Sequence, residues 1–143
     1  MEKAYKLLFN TEESDDLYVY CCGLSQTLPG HSFGPALKPH YMIHYCLSGK
    51  GRFSIGGKNY PLKEGYGFLI VPEELAYYVS DEKDPWTYAW IGFGGKKAGE
   101  VVSQLGLSLQ QQVHARHQGV DACVGQVGLV LSLGVVPVVA GTV

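Results

Sequence analysis

Tyr41-Met42-Ile43-His44-Tyr45-Cys46-Leu47, then Ser48-Gly49-Lys50-Gly51, then Arg52-Phe53-Ser54-Ile55 and Gly56-Gly57, is the stretch whose reading decides the fold. The first run is aromatic and branched and has the length of a strand, and the second is a shorter run of the same character. Two glycines in the first turn supply the positive φ angles of a tight reversal, which predicts a hairpin. Gly56-Gly57 marks a second reversal a few residues on. Reversals this close together leave no room for a crossover helix, so the pattern is an antiparallel meander.

Working outward, Leu17-Tyr18-Val19-Tyr20-Cys21-Cys22 reads as an earlier strand, and Leu28 to Pro35, with two prolines and two glycines, as an irregular connection. Residues 1–16 form an arm, more loop than element, ending in the acidic, polar cluster Thr11 to Asp16. Downstream, Lys58 to Leu62, Tyr66 to Pro72 and Tyr77 to Val79 are short strands, and Ser80 to Pro85 is an exposed turn. Trp86 to Phe93 is a further strand, whose alternation puts Trp86, Tyr88 and Trp90 on one face and Ile91 and Phe93 on the other. The period then changes. Ala98, Val101, Val102 and Leu105 recur at helical spacing over Lys96 to Leu105, with Gly106 as the stop. Many short antiparallel strands with one helix behind predict a mostly β fold, a small cupin-type barrel or jelly roll with a C-terminal helix. The interior of such a barrel is either filled by side chains or holds one small ligand.

With 143 residues the chain suffices for one domain with a real core. A formal net charge of −2 provides no basic field for nucleic acid. The charged start Met1 to Lys6 lacks the apolar region of a secretory signal, and Cys21, Cys22, Cys46 and Cys123 show no C-x-x-C spacing. They read as reduced thiols of a cytoplasmic protein, with a zinc site or disulfide as the minor alternative.

Gly30-His31-Ser32-Phe33-Gly34-Pro35-Ala36, His44 to Gly51, the Gly65 to Pro72 strand and above all Asp84-Pro85-Trp86-Thr87-Tyr88-Ala89-Trp90-Ile91-Gly92-Phe93 resemble one known family. It is the N-terminal effector-binding domain of AraC-family transcription regulators, in the branch tied to sugar-utilisation operons, and the resemblance spans about residues 18–108. It implies a cupin-type barrel around a small effector, a sugar in this branch of the family, a helix behind it for homodimerisation in full-length relatives, and in those relatives a DNA-binding domain. No paired helices with a basic face follow Ser108, so the chain reads as truncated before that domain, with no DNA binding of its own. From Leu109 the sequence has no Lys, Glu or aromatic, and after Asp121 no charge, which sets residues 109–143 apart as an atypical Gly/Val-rich tail. Glycines and Pro137 interrupt it as a transmembrane helix.

Registered on Ser48-Gly49 and Pro72, the positions that hold metal in cupin enzymes fall on Ala36, Lys38, Met42 and Ala76, none a suitable ligand set for a divalent ion. His40 and His44 share a strand face but stand roughly 13 Å apart at about 3.3 Å per residue, too far for a common metal. The expectation is therefore no cofactor, no metal and no enzyme activity. In the cupin register Lys38, His40, Met42, His44 and Cys46 face inward, and Tyr78, Tyr88 and Trp90 meet them. The resemblance matches Trp90 to the aromatic on which relatives stack a sugar ring, Tyr88 to a polar ring beside it and Tyr78 to a phenol at the pocket wall. The candidate ligand-binding residues are Trp90, Tyr88, Tyr78, His44, Met42 and Lys38. Relatives also use an arginine where this chain has Gly34. Two other readings stay open: aromatic residues on a strand and a lone histidine serve equally as core filling in a ligand-free dimerisation barrel, and a metal-dependent cupin enzyme acting on a sugar or sugar phosphate is the second.

Overall fold

The computed structural model describes residues 2–9, 16–104 and 113–114. Ten strands and one helix follow in the order β1 (Lys3–Leu8), β2 (Tyr18–Gln26), β3 (Ser32–Ala36), β4 (Tyr41–Ser48), β5 (Lys50–Ile55), β6 (Lys58–Lys63), β7 (Gly67–Ile70), β8 (Ala76–Ser80), β9 (Thr87–Gly94), α1 (Ala98–Gln104) and β10 (Val113–His114). The strands make a six-stranded sheet, β1-β2-β9-β4-β7-β10, and a four-stranded sheet, β3-β8-β5-β6. All of their pairings are antiparallel. This is the mostly β, cupin-like jelly roll that the strand spacing predicts.

The stretch around Gly49 does not form a hairpin. β4 pairs with β7 and β9, whereas β5 pairs with β6 and β8, so the chain passes from one sheet to the other at Ser48-Gly49. Gly49 takes φ 73°, and a Cβ there would crowd the Pro85 carbonyl. Its glycine is needed for that close approach and positive φ, at a corner between sheets. The second reversal does close a hairpin, with Ile55 opposite Lys58 across Gly56-Gly57.

Two further segments differ from the sequence reading. Lys3–Leu8, read as part of a loop-like arm, pairs along its length with β2, from Lys3 opposite Gln26 to Leu8 opposite Cys21. Ser32–Ala36, inside the supposed irregular connection, lies along β8, with a register shift between Phe33 and Ala36 where Gly34-Pro35 interrupts the ladder. Proline is tolerated there because β3 is an edge strand. The tail is touched at one place: Val113 and His114 extend the large sheet beyond β7. The rest of residues 109–143, Leu105 and the Gly106 stop lie outside the described residues.

Burial follows strand parity. Between the sheets, Phe53, Ile55, Leu62, Phe68, Ile70, Trp86 and Tyr88 form the main core, while on the outer face of the large sheet Ile43, Tyr45, Leu69 and Phe93 receive Ala98 and Val102 of α1. Covering that face explains the helix of only seven residues, too short to persist alone. Trp86 and Phe53 are fully buried and fill one end of the barrel. The other end is open.

Candidate functional site

A cavity of about 360 Å³ occupies the open end, at the small end of the range for small-molecule sites. Lys38, Met42, His44, Tyr78, Tyr88 and Trp90 all line it, together with His40. The structure thus brings the six candidate residues to one concave surface. Parity along β4 and β9 produces this: Met42 and His44 alternate inward with Ile43 and Tyr45 outward, and Tyr88 and Trp90 alternate with Ile91 and Phe93. Cys46, the other inward residue of β4, is buried in the main core rather than on the cavity.

His44 is the most constrained group. It is 2% exposed, stacked on Phe68 and flanked by Tyr78, Tyr88 and Trp90. Burial, with the charge of Lys38 adding to it, pulls its pKa down to about 3, so the ring is neutral near pH 7. Its Nδ1 is buried without a hydrogen-bond partner. A neutral imidazole carries one donor and one acceptor nitrogen, and a buried polar atom left unpaired is costly. The Tyr78 and Tyr88 rings meet edge to face with centroids 5.9 Å apart, and Ser25 lies beside the Tyr88 hydroxyl. Burial raises the pKa of both phenols, which stay neutral and able to donate and accept.

Trp90 forms part of the side wall. It is partly exposed, and it stands opposite Gly23 in the β2–β9 ladder. The indole ring lies over Gly23 so closely that a Cβ there would run into it and into the Tyr5 carbonyl of β1. The Cys21 thiol is among its neighbours on β2. The indole is therefore seated against β2 at a glycine that sequence reading did not connect with it.

The wall contributed by β1 was also missed. Glu2, Ala4 and Lys6 line the cavity from the segment read as a loose arm. The even spacing of these residues was the available signal, since a strand presents every second side chain to one face. Glu2 binds His31 across the mouth, Oε2 to Nδ1 at 3.1 Å. Tyr20 stacks on His40 at 4.3 Å with 8° between planes, closing another part of the rim. Lys38 lays its ammonium over the Phe33 ring, 4.4 Å from the centroid. The interior is not fully packed. Among the described residues, no three of His, Cys, Asp and Glu are grouped to hold a metal ion, and Ala36 and Ala76 face one another in the β3–β8 ladder.

An indole wall, a buried neutral imidazole and paired phenols give the cavity both apolar ring faces and neutral hydrogen-bonding groups. The sequence profile of the AraC-like ligand binding domain matches residues 18–130 of the chain. The chain belongs to that family. The match runs beyond the stretch of 18–108 carried by the motifs, into the segment that holds β10.

Among curated proteins, this AraC-like domain is 36% identical over 100 residues to the Msm operon regulatory protein of Streptococcus mutans, which is 70% of this chain and 36% of that one. It is 33% identical over 97 residues to the raffinose operon transcriptional regulatory protein RafR of Pediococcus pentosaceus, 65% of this chain and 34% of the relative. It is 28% identical over 86 residues to the lactose operon transcription activator of Staphylococcus xylosus, 60% of this chain and 31% of the relative. The matched parts cover about a third of these regulators' length. In fold the domain is similar to a cupin 2 conserved barrel domain protein from Salinispora arenicola, with TM-score 0.53, 14% identity and coverage of 72% of this chain and 84% of the other. It is also similar to YhaK from Escherichia coli, with TM-score 0.55, 14% identity and coverage of 64% and 44%. Among the described residues no helix is long and apolar enough to cross a membrane.

Proposed function

We propose that the chain is a saccharide-sensing domain of a sugar-operon regulator and that Lys38, Met42, His44, Tyr78, Tyr88 and Trp90 are its ligand contacts. The observation that carries this reading is the unpartnered, buried Nδ1 of His44 on a cavity walled by the Trp90 indole. A sugar ring offers both things this arrangement lacks: an apolar C–H face to lie on the indole, and hydroxyls that donate to or accept from a neutral imidazole. The Tyr78 and Tyr88 rings stand beside His44, and their neutral hydroxyls can donate to and accept from the ligand. Met42 supplies an adaptable apolar contact.

The role is binding rather than catalysis. Sugar binding by this barrel would report to a DNA-binding part in the longer regulator, as the operon-regulator relatives suggest. The test is a thermal-shift screen of mono- and oligosaccharides, because a ligand that binds the native state alone raises its melting temperature by mass action. A concentration-dependent rise with at least one saccharide, lost in His44→Leu and Trp90→Ala, supports the reading. Saccharide shifts unaffected by both substitutions contradict it.

A further inference from the structure

Lys6 on β1 and Lys38 on the segment between β3 and β4 are brought to the same cavity from distant parts of the chain. Among the described residues neither forms an ion pair like those of His31 with Glu2 and Lys97 with Asp16. Glu2, the carboxylate that lines the cavity, is already engaged by His31. The two ammonium groups repel one another, and Cys21 lies within the field of both. Burial first, and then the charge of Lys6, lowers the pKa of Lys38. Cation-π contact with Phe33 offsets part of the cost of holding Lys38 there, but supplies no negative charge. A partly buried Lys38 and an exposed Lys6 on the same cavity, without a counter-charge, are unfavourable in the empty protein, and a bound anion reverses the sign of that interaction.

We propose that Lys6 and Lys38 form an anion subsite at the cavity mouth, and that the effector is a saccharide bearing a phosphate or carboxylate group. The inference rests on the saccharide reading above and narrows it. The sugar ring lies against Trp90 and reaches His44 with its hydroxyls, while its anionic substituent points to the mouth and accepts charge-assisted hydrogen bonds from both ammoniums. Because Lys6 comes from β1, such a ligand also ties that edge strand to the rest of the barrel.

The test is calorimetric titration of matched pairs at low ionic strength: glucose with glucose 6-phosphate and with glucuronate, galactose with galactose 6-phosphate and with galacturonate, and inorganic phosphate alone. Hydrogen bonds to charged groups predict that a charged member binds about tenfold or more tighter than its neutral partner, with the preference shrinking as salt is added. Lys6→Gln and Lys38→Gln should each bring the charged member down toward the affinity of the neutral one, and the phosphate or carboxylate member that wins identifies the substituent. Lys6 is exposed, so its replacement leaves the fold intact. Equal or weaker binding of the charged members overturns the anion subsite and leaves the saccharide reading standing. Phosphate binding that no sugar improves overturns the saccharide reading and keeps the lysine pair as an anion site. Silence of every probe counts against both.

Discussion

His44 and Phe68 stand opposite each other in the β4–β7 ladder with their rings 4.6 Å apart and 3° from parallel. The stack holds the imidazole flat against the core. Burial then holds the ring neutral down to about pH 3, compared with 6.5 for a free histidine.

That displacement makes stability depend on pH with a definite sign. The folded-state pKa lies below the unfolded one, so between them the unfolded chain binds the extra proton and stability rises with pH. His44 contributes fully above pH 6.5 and loses that contribution progressively as pH falls toward 3. One such group gives a slope of about 1.4 kcal/mol per pH unit inside the window. Urea unfolding between pH 7.5 and 4.5 should show this slope, and His44→Phe should flatten it.

Gly23→Ala should impair the site without adding or removing a ligand contact. The new methyl meets the Trp90 ring and the Tyr5 carbonyl, so either the indole moves or β1 lifts from β2. Overpacking of this kind costs about 1–3 kcal/mol. Denaturant titration and tryptophan fluorescence should report lower stability and an altered indole environment, together with a smaller saccharide-induced shift.

The three described cysteines should resist alkylation in the native protein. Burial raises the pKa of each thiol, that of Cys46 to about 11, which leaves little thiolate at pH 8. Mass-resolved labelling with iodoacetamide should modify Cys21, Cys22 and Cys46 slowly in buffer and rapidly in urea. Cys21 lines the cavity, so a bound saccharide should slow its labelling further, relative to Cys22.

Side-chain parity made much of this legible from sequence. A strand shows alternate residues to opposite faces wherever it sits, so the shared face of Trp86, Tyr88 and Trp90 followed from spacing, whereas the inward direction of the set from Lys38 to His44 came from the cupin register that the family resemblance implies. Strand pairing did not, because turn chemistry is local and partners are not. Ser48-Gly49-Lys50-Gly51 has the residues of a hairpin turn, yet the chain uses them to step between sheets, a choice fixed by the Pro85 carbonyl beside Gly49. The wall from β1 was hidden for the same reason. Lys3 to Leu8 carries two lysines and no strong hydrophobic alternation, and it becomes a strand by docking on β2, which brings Lys6 to the cavity that Lys38 also lines.

Trp90 carries the central claim, since it is the indole wall of the cavity and has room to lie there because residue 23 is glycine. Titration of wild type, Trp90→Phe and Trp90→Ala with the most stabilising saccharide of the screen is the most direct measurement. The account predicts full binding in wild type, partial binding in Trp90→Phe, because a smaller ring keeps some stacking area, and none detectable in a folded Trp90→Ala. A folded Trp90→Ala protein that binds the saccharide as tightly as wild type would contradict it.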